Sequence, residues 1–107
     1  MIKARIYRKN QKICGFEISG HAGYAAAGED IVCAAVSSAA LMAANTITEI
    51  LGVSAKAEAE SGSMIFNLSE TNDKTEAILR GLELHLTELS KQYPLNIKVI
   101  YGGVKNA

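Results

Sequence analysis

From Ile31 to Ala44 the chain carries no charged side chain. Asp30 stands before this run as a helix N-cap, and Gly52 follows Leu51 as a stop, so the spacing predicts a helix over 31–51. A helix that is apolar nearly all round predicts cover on more than one side. Its many Ala and Ser residues allow neighbouring elements to approach closely. The run to Ala44 reads as too short and too rich in serine to span a bilayer, so no membrane partner is expected.

Around this helix the hydrophobic period changes from helical to two. Residues 2–8 alternate, with Ile2, Ala4 and Ile6 on one side and Lys3, Arg5 and Tyr7 on the other. Asn10-Gln11 turns the chain. Residues 12–19 alternate again, Ile13, Gly15 and Glu17 being set opposite Cys14, Phe16 and Ile18. The pair reads as a hairpin. Residues 53–60 alternate small apolar with polar residues, Ser61-Gly62 turns, and Met64 to Leu68 return as a strand. Asn72 or Asp73 caps a second helix to about Tyr93. Ile78, Leu79, Leu82, Leu86, Leu89 and Tyr93 form its apolar stripe, and Pro94 ends it. Ile97, Val99 and Tyr101 close with a last strand. The order ββαββαβ predicts an α+β domain in two layers, one mixed sheet of about five strands with two main helices.

Length and charge narrow the function. The 107 residues suffice for one domain, 1–107, with its own core. Eleven basic and eleven acidic side chains give zero net charge, and no basic stripe appears. That argues against direct nucleic-acid binding through phosphates. The chain opens on a strand pattern rather than a signal peptide, and its two cysteines form no CxxC. A cytoplasmic protein with reduced thiols is expected. The two Cys and two His stand at no metal-ligand spacing, so neither metal nor cofactor is expected.

The chemistry concentrates between Gly20 and Cys33. With Asp30 as N-cap, Cys33 is the third helical residue, where the helix dipole and unpaired N–H groups favour thiolate over thiol. His21 ends the second strand, and a loop of this length can bring its imidazole to the helix start. Together they would make a nucleophile and its acid–base partner. Taken singly, Cys33 reads equally as a small buried hydrophobe and His21 as a loop brace. Their joint placement across a glycine loop favours function. Asp30 either caps the helix through the N–H of Val32 or Cys33 or orients His21 as a third member. Ser37, one turn after Cys33, either bonds within the site or back-bonds to the Cys33 carbonyl. Gly20, Gly23 and Gly28, with Tyr24, make a loop that reads as mobile, able to offer backbone N–H groups to an oxyanion. Cys14 reads as packing and His85 as a surface histidine.

The stretch Gly20-His21-Ala22-Gly23-Tyr24, then Gly28-Glu29-Asp30-Ile31-Val32-Cys33-Ala34-Ala35-Val36-Ser37, resembles the signature of the ribosomal-processing cysteine protease family, Prp. The resemblance extends over the whole chain in length and element order. It implies a cytoplasmic, homodimeric endopeptidase that removes the N-terminal extension of large-subunit ribosomal protein number twenty-seven, cutting after an aromatic residue. It further implies His21 and Cys33 as the dyad and a mobile loop between them. Ala25-Ala26-Ala27 departs from the family's habit of a larger or charged side chain there. The competing expectation is a non-catalytic ribosome-associated binding module in which His21 and Cys33 are structural.

Overall fold

The computed structural model describes residues 1–21 and 30–101. Strands β1 (Ile2–Lys9) and β2 (Lys12–Ser19) form an antiparallel hairpin. Asn10 and Gln11 close it with φ of 53° and 67°. Two successive left-handed residues match the twist of the strands they join. Helix α1 (Ile31–Asn45) follows and runs on into a π-helical turn over Thr46–Ile50. Then come β3 (Ala55–Glu60), β4 (Ser63–Leu68), helix α2 (Asp73–Gln92) and β5 (Ile97–Ile100). The strands order as β3-β4-β2-β1-β5. All neighbours are antiparallel except β1 and β5, which run parallel. The expected α+β class, mixed five-stranded sheet and order ββαββαβ are all present.

The core lies between one face of the sheet and the two helices. Ile2, Ala4 and Ile6 of β1, Phe16 and Ile18 of β2 and Phe66 of β4 meet Val32, Val36 and Ala40 of α1 and Leu79, Leu82 and Leu86 of α2. Phe16 and Phe66 are cross-strand partners whose rings stack 5.2 Å apart. Asn72 rather than Asp73 caps α2: its Oδ1 accepts from the N–H of Lys74 and Thr75, and Thr75 Oγ1 accepts from the N–H of Asn72.

One expectation needs correction. Ile13 is buried with Phe16 and Ile18, not opposite them. Tyr7 pairs with Gly15 and Arg8 with Ile13, so Cys14 is an extra, unpaired residue that reverses the alternation. Glu76 of α2 accepts the N–H of Ile13 at 2.7 Å, and the Cys14 thiol donates to the Tyr7 carbonyl at 3.6 Å. Next to the bulge, Gly15 lets β4 come close: a Cβ there would stand 2.3 Å from the Phe66 carbonyl oxygen.

Helix α1 is covered on more than one side, packing into the core with the sheet and along its flank against α2. Val32, Val36, Ala40, Ala43 and Ala44 are buried, while Ile31, Leu41 and Met42 are 60%, 46% and 64% exposed. A two-layer fold presents one layer to each helix, and a groove of about 690 Å³ stays open between α1 and α2. With its π-helical turn α1 makes 20 residues, Ile31–Ile50, long and apolar enough by length and composition to cross a membrane. In this fold about a third of that stretch is buried inside the protein.

Candidate active site

β2 delivers the histidine. Its last residue is followed by Gly20 at φ +90°, whose N–H donates to the Gly62 carbonyl at 2.9 Å. A Cβ at position 20 would lie 2.4 Å from the Met1 carbonyl oxygen, so only glycine fits both the angle and the space. His21 comes next and is exposed, its ring lying over the β3–β4 turn. A Cβ on Gly62 would stand 3.0 Å from the imidazole Nε2 and 3.4 Å from Cε1. Gly62 itself adopts φ +77°. The imidazole therefore rests on a surface that exists because residue 62 has no side chain. Sequence reasoning assigned Gly62 to a turn and missed this role, since no local pattern links it to His21.

α1 delivers the cysteine. Asp30 is buried and extended, at φ −79° and ψ 102°. Its Oδ1 accepts the N–H of Val32 at 2.9 Å and of Cys33 at 3.0 Å, and its carbonyl accepts the N–H of Ala34 at 3.1 Å. Of the two roles weighed for Asp30, this geometry is the cap. It places Cys33 in the first turn, half-buried. It also commits the N–H groups of residues 32 to 34, so a substrate oxyanion would need donors from elsewhere. Ser37 follows one turn later and is exposed; its hydroxyl makes no hydrogen bond among the described residues, so the back-bond to the Cys33 carbonyl is not formed.

His21 and Cys33 line one cleft of about 210 Å³. Ser37 and Ala40 of α1 stand on one side, Ala59 and Glu60 of β3 on the other, and Ile18 and Met64 between them. Gly20 and Gly62 also border it. Thus His21, Cys33, Ser37 and Gly20 border one cleft, and Asp30 caps the helix that carries Cys33 and Ser37. Gly23, Tyr24 and Gly28 lie outside the described residues. Cys14, at the β2 bulge, and His85, exposed on α2 beside the interhelical groove, are away from this cleft. Among the described residues no group of three or more His, Cys, Asp and Glu side chains could hold a metal.

A thiol at a helix start and an imidazole from a strand end, sharing one open cleft, suit acyl transfer through a covalent thioester. The comparisons with known proteins agree. The family model of the cysteine protease Prp matches residues 1–98. The ribosomal processing cysteine protease Prp of Bacillus subtilis (strain 168) is 30% identical over 107 residues, spanning 92% of this chain and 96% of the relative. A crystal structure of an essential ribosomal processing protease Prp from S. aureus, with a covalently linked product peptide, aligns with a TM-score of 0.88. The alignment covers 95% of this chain and 100% of that one at 24% identity, a likeness of fold. A protein from Streptococcus mutans aligns with a TM-score of 0.78 at 28% identity, over 94% and 93% of the two chains. The alternative of a non-catalytic module gives way, because the matching family model and the Bacillus subtilis relative are both cysteine proteases: the chain belongs to the Prp family and is a cysteine protease.

Proposed function

We propose that this enzyme removes the N-terminal extension of large-subunit ribosomal protein twenty-seven, with Cys33 as nucleophile and His21 as acid–base. The observation that carries the assignment is the shared cleft, which contains His21 and Cys33 and neither Cys14 nor His85. The name of the Bacillus subtilis relative supports a ribosomal substrate. The S. aureus structures, one with a substrate peptide and one with a covalently linked product peptide, support a peptide bound at a site of this fold.

The Cys33 thiolate attacks the scissile carbonyl carbon, forming a C–S bond and a tetrahedral oxyanion. Collapse breaks the C–N bond, and the imidazolium of His21 gives its proton to the leaving amine. Neutral His21 then takes a proton from water, which attacks the thioester. The thiolate leaves and the imidazolium is restored. An aromatic residue before the cut would rest on Ile18 and Met64, which line the cleft. The same reading makes the enzyme a cytoplasmic homodimer acting without a cofactor. The apolar surface that the fold leaves bare on α1 supports a second copy as its cover.

Incubation with the host's extended ribosomal protein tests the reading. One cut after an aromatic residue, absent with Cys33→Ser, is expected. An untouched extension, or a cut that persists in Cys33→Ser, refutes it.

A further inference from the structure

β3 is the end strand of the sheet, and its outer edge pairs with nothing among the described residues. From Lys56 to Glu60 every residue is exposed. The hydrogen-bond phase of this strand follows from one bond. The N–H of Ser69 donates to the Ser54 carbonyl at 3.2 Å, directly continuing the ladder in which Ala55 pairs with Leu68. Bonded and non-bonded pairs alternate in an antiparallel ladder. Lys56, Glu58 and Glu60 therefore bond to β4, and Ala55, Ala57 and Ala59 direct their N–H and C=O groups to the free edge.

The side chains follow the same alternation. Ala57 and Ala59 pair with Phe66 and Met64, which pack in the core, so they stand on the helix side of the sheet. Both are nevertheless exposed. Edge strands are usually blunted by proline, bulges or inward-pointing charge. Here the charges of Lys56, Glu58 and Glu60 are on the outer face, the helix side carries only methyl groups, and the register of β3 is unbroken. The edge is continuous with the cleft, since Ala59 and Glu60 at its end line the same space as Cys33 and His21.

We propose that the substrate chain docks as a sixth strand along the free edge of β3, with its scissile bond at the Ala59–Glu60 end. This rests on the reading of the cleft as the catalytic site. A protease must hold its substrate extended, and an extended chain needs partners for its backbone groups. At roughly 3.3 Å per residue the six residues of β3 span about 20 Å, room for about six substrate residues. Every second substrate side chain turns toward the trough beside α1, where the alanine methyls leave space.

Two measurements with a peptide spanning the extension's cut site test this. On the Cys33→Ala protein, saturating peptide should slow amide exchange at Ala57 and Ala59 roughly tenfold or more, and leave Lys56 and Glu58 unchanged. With the unaltered enzyme, peptides N-methylated at one amide at a time, away from the scissile bond, should lose kcat/KM in alternation. Each amide facing β3 should cost about two- to tenfold, and those between almost nothing. Efficient cleavage without protection at Ala57 and Ala59, or with losses that do not alternate, overturns the docking mode and leaves the proteolytic reading intact. Protection of Ala57 and Ala59 by a peptide that the unaltered enzyme never cuts keeps the docking mode and removes the proteolytic reading. No protection and no cleavage removes both.

Discussion

Gly62→Ala and Gly52→Ala make a matched pair that isolates the support under His21. Both glycines are left-handed, at φ +77° and +67°. An L-residue with a Cβ at such angles costs roughly 1–2 kcal/mol. For 107 residues the unfolding entropy is about 0.2 kcal/mol/K, so each variant should melt roughly 4–9 °C lower. The surroundings differ. A Cβ on Gly52 meets nothing within 4 Å, whereas one on Gly62 meets His21 Nε2 at 3.0 Å, closer than ordinary contact. His21 is exposed and can move away, so the collision adds little to the stability loss. Its catalytic effect is large, because a misplacement of about 1 Å at a reacting group can lower turnover roughly 100-fold. Melting curves and peptide-cleavage kinetics on both proteins form the assay. Similar melting losses are expected, with kcat reduced tens-fold in Gly62→Ala at little change in KM, and near-normal turnover in Gly52→Ala. Equal activity in the two variants would refute the argument that residue 62 positions the imidazole.

Cys33→Ser should abolish cleavage with the fold intact, since an alcohol at this site is not ionised by a helix end and one imidazole, while Cys14→Ala should keep most activity; mass spectrometry of the digests checks both. His21→Ala should lower kcat about 10²–10⁴-fold with substrate binding largely kept, and His85→Ala should change neither; comparable losses at both histidines would undo the assignment. Asp30→Ala should cost about 0.5–2 kcal/mol in urea unfolding by removing the cap from Val32 and Cys33, and Asp30→Asn should restore most of it because Asn caps equally well. The Asn variant also removes a negative charge beside Cys33, so iodoacetamide should modify Cys33 faster than in the unaltered protein.

Elements defined by short-range pattern are legible in the order of residues alone. The alternation of Ile2, Ala4 and Ile6, the run after Asp30 and the stripe from Ile78 to Leu89 each report which side of one element avoids water, and each element forms where its pattern places it. Turn chemistry is readable for the same reason: Asn10 and Gly62 tolerate left-handed angles. The pairing of His21 with Cys33 is readable because both border one loop in sequence. Ile13 shows where this reasoning ends. Its side is decided by a bulge at Cys14 that depends on β1 opposite and on Glu76 of α2, far along the chain.

By itself, then, the sequence determined the elements, their order, the cap on α1 and the two side chains proposed as the dyad, because each rests on neighbours within a few residues or one loop. Tertiary structure alone decided that β1 joins β5 in parallel and that β3 ends the sheet. It likewise decided that the Gly62 turn lies beneath His21 and that one side of the charge-free α1 stays bare. These depend on which distant surfaces meet when the strands pair. A one-residue change of register turns every side chain to the other face of a sheet, and no local run of residues records that choice.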